Sequence, residues 1–277
     1  MKFRSPAKVN LHLQVLGKRG DGYHEIQTLM LPVAIYDEVE ILVGGSEFRF
    51  TAEGREIPEG RGNIIWKAAE VIFQECGQKP VQVHLTKRIP VAAGLGGGSS
   101  NAATVLMGLN GLLQAGLNQK RLMEMGAKIG ADVPFFLFEK SALARGTGEK
   151  LTEVVFPPAL WFLLIVPPFP LSSAWAYTTY DQLAPKNEGS IPLAEVYTEI
   201  SDLLPILTND LELAVLSKYP EIGQVKEKLI ARGAKGALMS GSGSVVFGLF
   251  STQAGARRAA EEINLPSGWE TMVTHRI

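Results

Sequence analysis

Between a strand-like segment and a helix-like one the chain runs Pro90, Val91, Ala92, Ala93, Gly94, Leu95, Gly96, Gly97, Gly98, Ser99 and Ser100. Four glycines crowd around Leu95. Without Cβ atoms the backbone can approach a ligand closely and turn several N–H groups toward one point. Ser99, Ser100 and Asn101 then suit a helix start, whose N-terminus favours an anion. The chemistry served is phosphate binding. Two rival phosphate motifs fail here. No lysine follows Gly98, as a P-loop requires, and the stretch after it (ATVLMGLNGLLQ) reads as helix, not as a second strand carrying an acid.

A transfer reaction on a bound phosphate also needs a base and a cation. Asp132 follows Gly130 at a helix end and precedes Val133-Pro134-Phe135-Phe136, so one carboxylate enters an apolar neighbourhood. The same position suits the N-cap of a short helix, and the residues alone leave both readings open. Lys8 lies in an alternating strand, where burial without a partner would be costly and an outward-facing lysine is the commoner case. Asn10 shares its face, being two residues on. Tyr23 and His24 follow the turn Gly17–Gly22; a ring can stack on a base and an imidazole can hydrogen-bond a heterocycle edge, although surface packing explains such a pair equally well. Lys87 and Arg88 flank the glycine loop as phosphate neutralisers or as a solvated strand end.

These residues need elements to hold them. The alternation Val9, Leu11, Leu13, Val15 predicts a half-buried strand, with further strands near 26–33, 38–43, 47–51 and 81–85. Asn63 and Asn118 read as starts of amphipathic helices that stop at Gly77 and Gly130. The second half predicts helices over 173–183, 193–204, 210–217, 221–232 and 252–263. Strands are expected at 236–239, 244–250 and 270–276. Gly146 and Gly148 suggest a hairpin turn, and Lys186–Ser190 a short linker. Trp66, Trp161, Trp175 and Trp269 read as core. The class is α+β in two domains, 1–157 and 158–277, divided at Pro157-Pro158.

With 27 Lys+Arg against 28 Asp+Glu in 277 residues, no basic surface marks a nucleic-acid or membrane partner. The lone Cys76, the absence of a metal-spaced Cys/His cluster and a start without an apolar leader point to the cytoplasm.

The loop Pro90–Ser100, the segment Pro6-Ala-Lys8-Val-Asn10-Leu-His-Leu and the turn Met239-Ser-Gly241-Ser-Gly243-Ser resemble, in order and spacing, the three motifs of the galactokinase, homoserine kinase, mevalonate kinase and phosphomevalonate kinase (GHMP) superfamily. The resemblance implies two domains with an active-site cleft between them, ATP on the glycine loop and Mg²⁺ arriving with ATP. It implies Asp132 as base beside a charged Lys8, which would lower the pKa of the acceptor hydroxyl. Pro6–Glu25, Gly130–Phe135, Ala144–Glu149 and Asn209-Asp210-Leu211 are similar to a narrower branch, which phosphorylates a cytidine-diphosphate-linked alcohol in isoprenoid precursor synthesis. There Asn10, Tyr23 and His24 would contact substrate, the last two at its cytosine end.

Overall fold

The computed structural model describes residues 1–183 and 189–277; Lys186–Glu188 of the expected linker lie outside them. Two compact units are assembled from interleaved segments: Met1–Ala7, Ile35–Val91 and Gly96–Lys140 form the first, and Lys8–Ala34, Ala92–Leu95 and Ser141–Ile277 the second. Strands β1 (Lys2–Lys18) and β2 (His24–Val43) are long enough to give residues to both.

In the first unit the later part of β2 pairs antiparallel with β4, and β3 (Arg49–Gly54) runs parallel to β4 (Val81–Lys87) on its other side. Helix α1 (Ile64–Cys76) starts at Asn63, whose side chain accepts from Ile65 N, and ends at Gly77 with φ 77°. The α-helices α1, α2 (Gly97–Leu112), α3 (Gln119–Ile129) and α4 (Val133–Phe138) lie in this unit. Small residues let them close up. A Cβ on Gly126 would lie 2.7 Å from Leu137 Cδ1 and 2.9 Å from Val133 Cγ1, so α3 and α4 touch through a bare backbone.

In the second unit residues 26–30 of β2 pair antiparallel with β5 (Ala142–Gly146), which turns into β6 (Lys150–Glu153). The Gly146/Gly148 hairpin is therefore present. Both glycines have positive φ, and the Glu149 carboxylate closes the turn by accepting from Thr147 N at 2.7 Å and Thr147 Oγ1 at 2.9 Å. A second, four-stranded antiparallel sheet contains β7 (Trp161–Val166), with α5 (Ser173–Leu183), α6 (Ile200–Leu203), β8 (Thr208–Asn209), α7 (Glu212–Lys218) and α8 (Glu221–Ala231) following in the chain. Its remaining strands are β9 (Gly236–Met239), β10 (Val246–Phe250) and, after α9 (Gln253–Glu262), β11 (Glu270–His275), in the order β11-β7-β10-β9. Leu163, Ile165, Val246, Leu229 and Ala256 share its core, and Trp161, Trp175 and Trp269 pack on it from partly buried positions.

One expected helix is largely missing. Over 193–204 only α6 forms, followed by a 3₁₀ turn, Leu204–Ile206. The backbone of 195–197 instead pairs with Val155, Val155 N donating to Glu195 O at 2.8 Å and Tyr197 N to Val155 O at 2.9 Å. Helix periodicity loses there to a bridge with a distant residue, and the capping box of Glu199 and Asp202 sets the later start.

Candidate active site

Three sequence-distant pieces converge in the second unit. Lys8 and Asn10 project from one face of β1 and are both only 3% exposed, so Lys8 is not the outward-facing lysine that strand statistics favour. Lys8 Nζ donates to Asn10 Oδ1, and Asn10 Nδ2 donates to Thr28 Oγ1 at 2.8 Å. The backbone N–H of Asn10 donates to Ser240 Oγ at 3.2 Å, and that hydroxyl donates to Gly94 O at 2.9 Å. One serine thus ties β1 to both glycine turns. The turn around Gly241 is held in place by Asn209, whose amide donates to Met239 O at 2.8 Å and Gly241 O at 2.7 Å while its Oδ1 accepts from Leu211 N at 3.0 Å. Gly241 then sits over the pair. A Cβ there would lie 3.1 Å from Asn10 Oδ1 and 3.2 Å from Lys8 Nζ.

The glycines of the loop have distinct jobs. A Cβ on Gly94, at φ 79°, would lie 1.9 Å from Ser240 O, an atom already fixed by Gly243 N at 2.9 Å. Gly94→Ala is therefore expected to destabilise the protein by about 2 kcal/mol or more, since backbone must yield and positive φ adds strain. Gly98, by contrast, faces open space apart from Ile64 Cγ2 at 3.8 Å, and Gly98→Ala is expected to change stability by less than about 1 kcal/mol. Denaturant midpoints of the two variants check this contrast.

In the first unit Gly96, in the left-handed region at φ 67°, is the N-cap of α2, and Ser100 N donates to Gly96 O at 2.9 Å. A Cβ on Gly97 would meet Lys87 Nζ at 2.7 Å and Ile89 Cγ2 at 2.8 Å, so this glycine is required by protein packing. Lys87 is no solvated strand end: it is buried and paired with the equally buried Asp37. Burial pushes its ammonium pKa down, and Asp37 opposes that shift. Asp37 also accepts from Arg88 N at 2.7 Å, Ile89 N at 2.8 Å and Asn101 Nδ2 at 2.9 Å, fixing the entry to the loop and the first turn of α2 together. Nothing in the strand pattern around Tyr36 marks that role, because all its partners lie ~50 residues or more away. Arg88 is exposed. Asp132 stands at the N-cap position of α4, half-buried, yet its side chain makes no capping hydrogen bond.

Tyr23 and His24 belong to the second unit. Tyr23 is 64% exposed at the end of a turn closed by Arg19 N donating to Tyr23 O at 2.8 Å. His24 opens β2, stacks on Tyr177 with centroids 4.8 Å apart and contacts Asp181 through Nε2 at 2.7 Å. Tyr177 and Asp181 lie on one face of α5, four residues apart, a spacing that by itself signals only a helix.

The second unit thus holds two glycine turns tied by Ser240 beside a buried lysine–asparagine pair, and the first unit holds a carboxylate ahead of an apolar helix. The family described as GHMP kinases N terminal domain matches residues 63–140, and GHMP kinases C terminal matches residues 193–266. The chain is 46% identical over 271 residues to the 4-diphosphocytidyl-2-C-methyl-D-erythritol kinase of Citrifermentans bemidjiense, covering 97% of this chain and 96% of that protein. It is also 43% identical over 277 residues to the kinase of the same name from Syntrophotalea carbinolica, covering 99% and 98%. A crystal structure of a 4-(cytidine 5'-diphospho)-2C-methyl-D-erythritol kinase superposes with TM-score 0.82 at 35% identity, covering 99% of each chain. The mevalonate kinase of Methanococcus jannaschii, at TM-score 0.74 and 14% identity, shares the fold alone. This chain belongs to the GHMP kinase family.

Proposed function

We infer that the protein transfers the γ-phosphoryl group of MgATP to the 2-hydroxyl of 4-diphosphocytidyl-2-C-methyl-D-erythritol, a step of isoprenoid precursor synthesis. The observation that carries this reading is identity of 41–47% to kinases of that name along nearly the whole chain. The buried Lys8–Asn10 pair, which a protein binding ATP without turnover would not need, supports it.

Each residue then has a role. Backbone N–H groups of Gly96, Gly97 and Gly98, with the start of α2, hold phosphate oxygens; the loop Pro90–Ser100 supplies their geometry. Mg²⁺ enters with ATP as part of the co-substrate. Asp132 accepts the proton of the acceptor hydroxyl, and Lys8 places a positive charge where that oxygen becomes nucleophilic. Asn10 orients Lys8 and contacts substrate, while Tyr23 and His24 contact the cytosine end. The domain division at Pro157-Pro158 belongs to the same proposal, since the two family matches fall on either side of it. The cytoplasm as its location belongs to the same proposal; among the described residues no helix is long and apolar enough to cross a membrane.

A phosphate-transfer assay with ATP and a panel of alcohols tests the reading. The cytidine-linked substrate is expected to be used at least ~10²-fold better, by kcat/KM, than its uridine counterpart, because exchanging donor and acceptor on the base leaves buried groups unpaired. Equal use of both would remove the cytidine specificity and return simpler alcohols to contention.

A further inference from the structure

We propose that Asp181 is a positioning residue that holds His24 with Nε2 protonated and Nδ1 bare, making His24 an acceptor for the amino group of a pyrimidine base. The proposal rests on the reading of the substrate as cytidine-linked and adds to it the atom and the polarity of recognition.

Every contact around the ring leads to that tautomer. His24 Nε2 lies 2.7 Å from Asp181 Oδ1. The other oxygen, Oδ2, accepts from Lys18 Nζ at 2.7 Å, so the carboxylate is clamped between two groups. The Lys18 hydrogen bond, followed by that of His24, holds the Asp181 carboxyl below the usual carboxylate range, and it is ionised at neutral pH. An ionised carboxylate can only accept. The proton of the Asp181–His24 bond therefore sits on Nε2. In the neutral imidazole Nδ1 is then an unprotonated acceptor, because the hydrogen bond at one ring nitrogen decides the state of the other. Among the described residues Nδ1 takes no hydrogen bond. The ring cannot easily turn to exchange its nitrogens: one face lies on Tyr177, with the planes 21° apart, and the side chain is only 9% exposed. A bare Nδ1 suits the N–H of an exocyclic amine, which cytosine carries at its 4-position. Uracil presents a carbonyl oxygen there, and two acceptors would face each other.

Asp181→Asn tests the idea because Lys18 dictates how the new amide lies. Lys18 is a donor only, so it keeps the amide oxygen and turns Nδ2 toward His24. His24 must then accept at Nε2 and carry its proton on Nδ1, which reverses its polarity toward the base. The expected result is a fall of at least ~10-fold in the cytidine-to-uridine ratio of kcat/KM, with KM for ATP unchanged. Adding Lys18→Met frees the amide to turn its oxygen back to Nε2, and the ratio is expected to recover in part. The ¹⁵N shifts of the His24 ring in mildly alkaline buffer read the tautomer without any substrate: Nδ1 bare in the wild type, Nδ1 protonated in Asp181→Asn. A wild-type ring protonated on Nδ1 would overturn the proposal, and so would a variant whose ring tautomer changes while its base preference stays the same. Neither outcome touches the substrate reading. That reading fails separately, if the wild type uses both bases equally.

Discussion

Asp132→Asn is expected to lower kcat by ~10²-fold or more while ATP binding persists, the scale on which removal of a general base is felt. The helix start offers a competing explanation, and the geometry separates the two. An N-cap that works through its side chain has extended backbone and accepts from the second or third helical N–H. Asp132 has φ −86° and ψ −7°, in the helical region, and makes no such bond. The start of α4 is secured by other means: Pro134 in its first turn, and the burial of Val133, Pro134, Phe135 and Phe136. Asparagine would in any case serve a cap as well as aspartate does. The substitution is therefore expected to keep the helix start and to remove the proposed proton acceptor. Steady-state kinetics together with an ATP titration of the variant check it. Turnover near that of the wild type would reduce Asp132 to a helix-start residue.

Much of the local architecture was legible because its signals lie within a few residues of one another. The Asn63 and Asn118 caps and the Gly146/Gly148 turn each depend on backbone conformation within a few residues, and each formed as expected, whereas α2 starts at Gly97, two residues before Ser99, with Gly96 at its N-cap. The misreadings come from burial decided at long range. The alternation in β1 implies one solvated face, but Lys8, Asn10, His12 and Gln14 on that face are all at most 6% exposed. Partners nearly 200 residues away make this affordable: His12 Nδ1 meets Ile206 O at 2.8 Å, and Gln14 bonds Gly189 O and Ile191 N at 2.9 Å each. Burial lowers the pKa of His12, whose ring stays neutral in that setting. For Lys87 the sequence left a phosphate neutraliser and a solvated strand end both open, and burial against Asp37, which approaches from another strand, removes the second. The glycines carried a subtler error. Composition suggested bare backbone for a ligand, whereas at Gly94 and Gly97 the missing Cβ makes room for Ser240 and for Lys87 with Ile89. At these two positions the bare backbone serves contacts inside the protein.

Lys8→Met is expected to cost turnover ~10²–10³-fold, the range observed when one preorganised donor to a developing charge is removed. Stability should respond far less. A buried ammonium is expensive to desolvate, and a thioether of similar length removes that cost, as replacing buried charges by apolar groups often does. Against this, Asn10 Oδ1 loses a donor, a penalty of about 1–3 kcal/mol. The Asn10–Thr28 bond and the Ser240 link from Asn10 N involve no atom of the Lys8 side chain, so the frame around the site remains. Thermal unfolding is therefore expected to move by a few degrees while kcat collapses. Lys8→Arg sharpens the test, because it keeps the charge. The Gly241 turn approaches so closely that a mere Cβ there would lie 3.2 Å from Lys8 Nζ, and a guanidinium, broader than an ammonium, would crowd that side. Arginine is thus expected to fail as well, showing that charge must come with position. Retention of more than about a tenth of wild-type kcat by Lys8→Met would instead make Lys8 a strut between β1 and the Gly241 turn, and the cation would have to come from another residue.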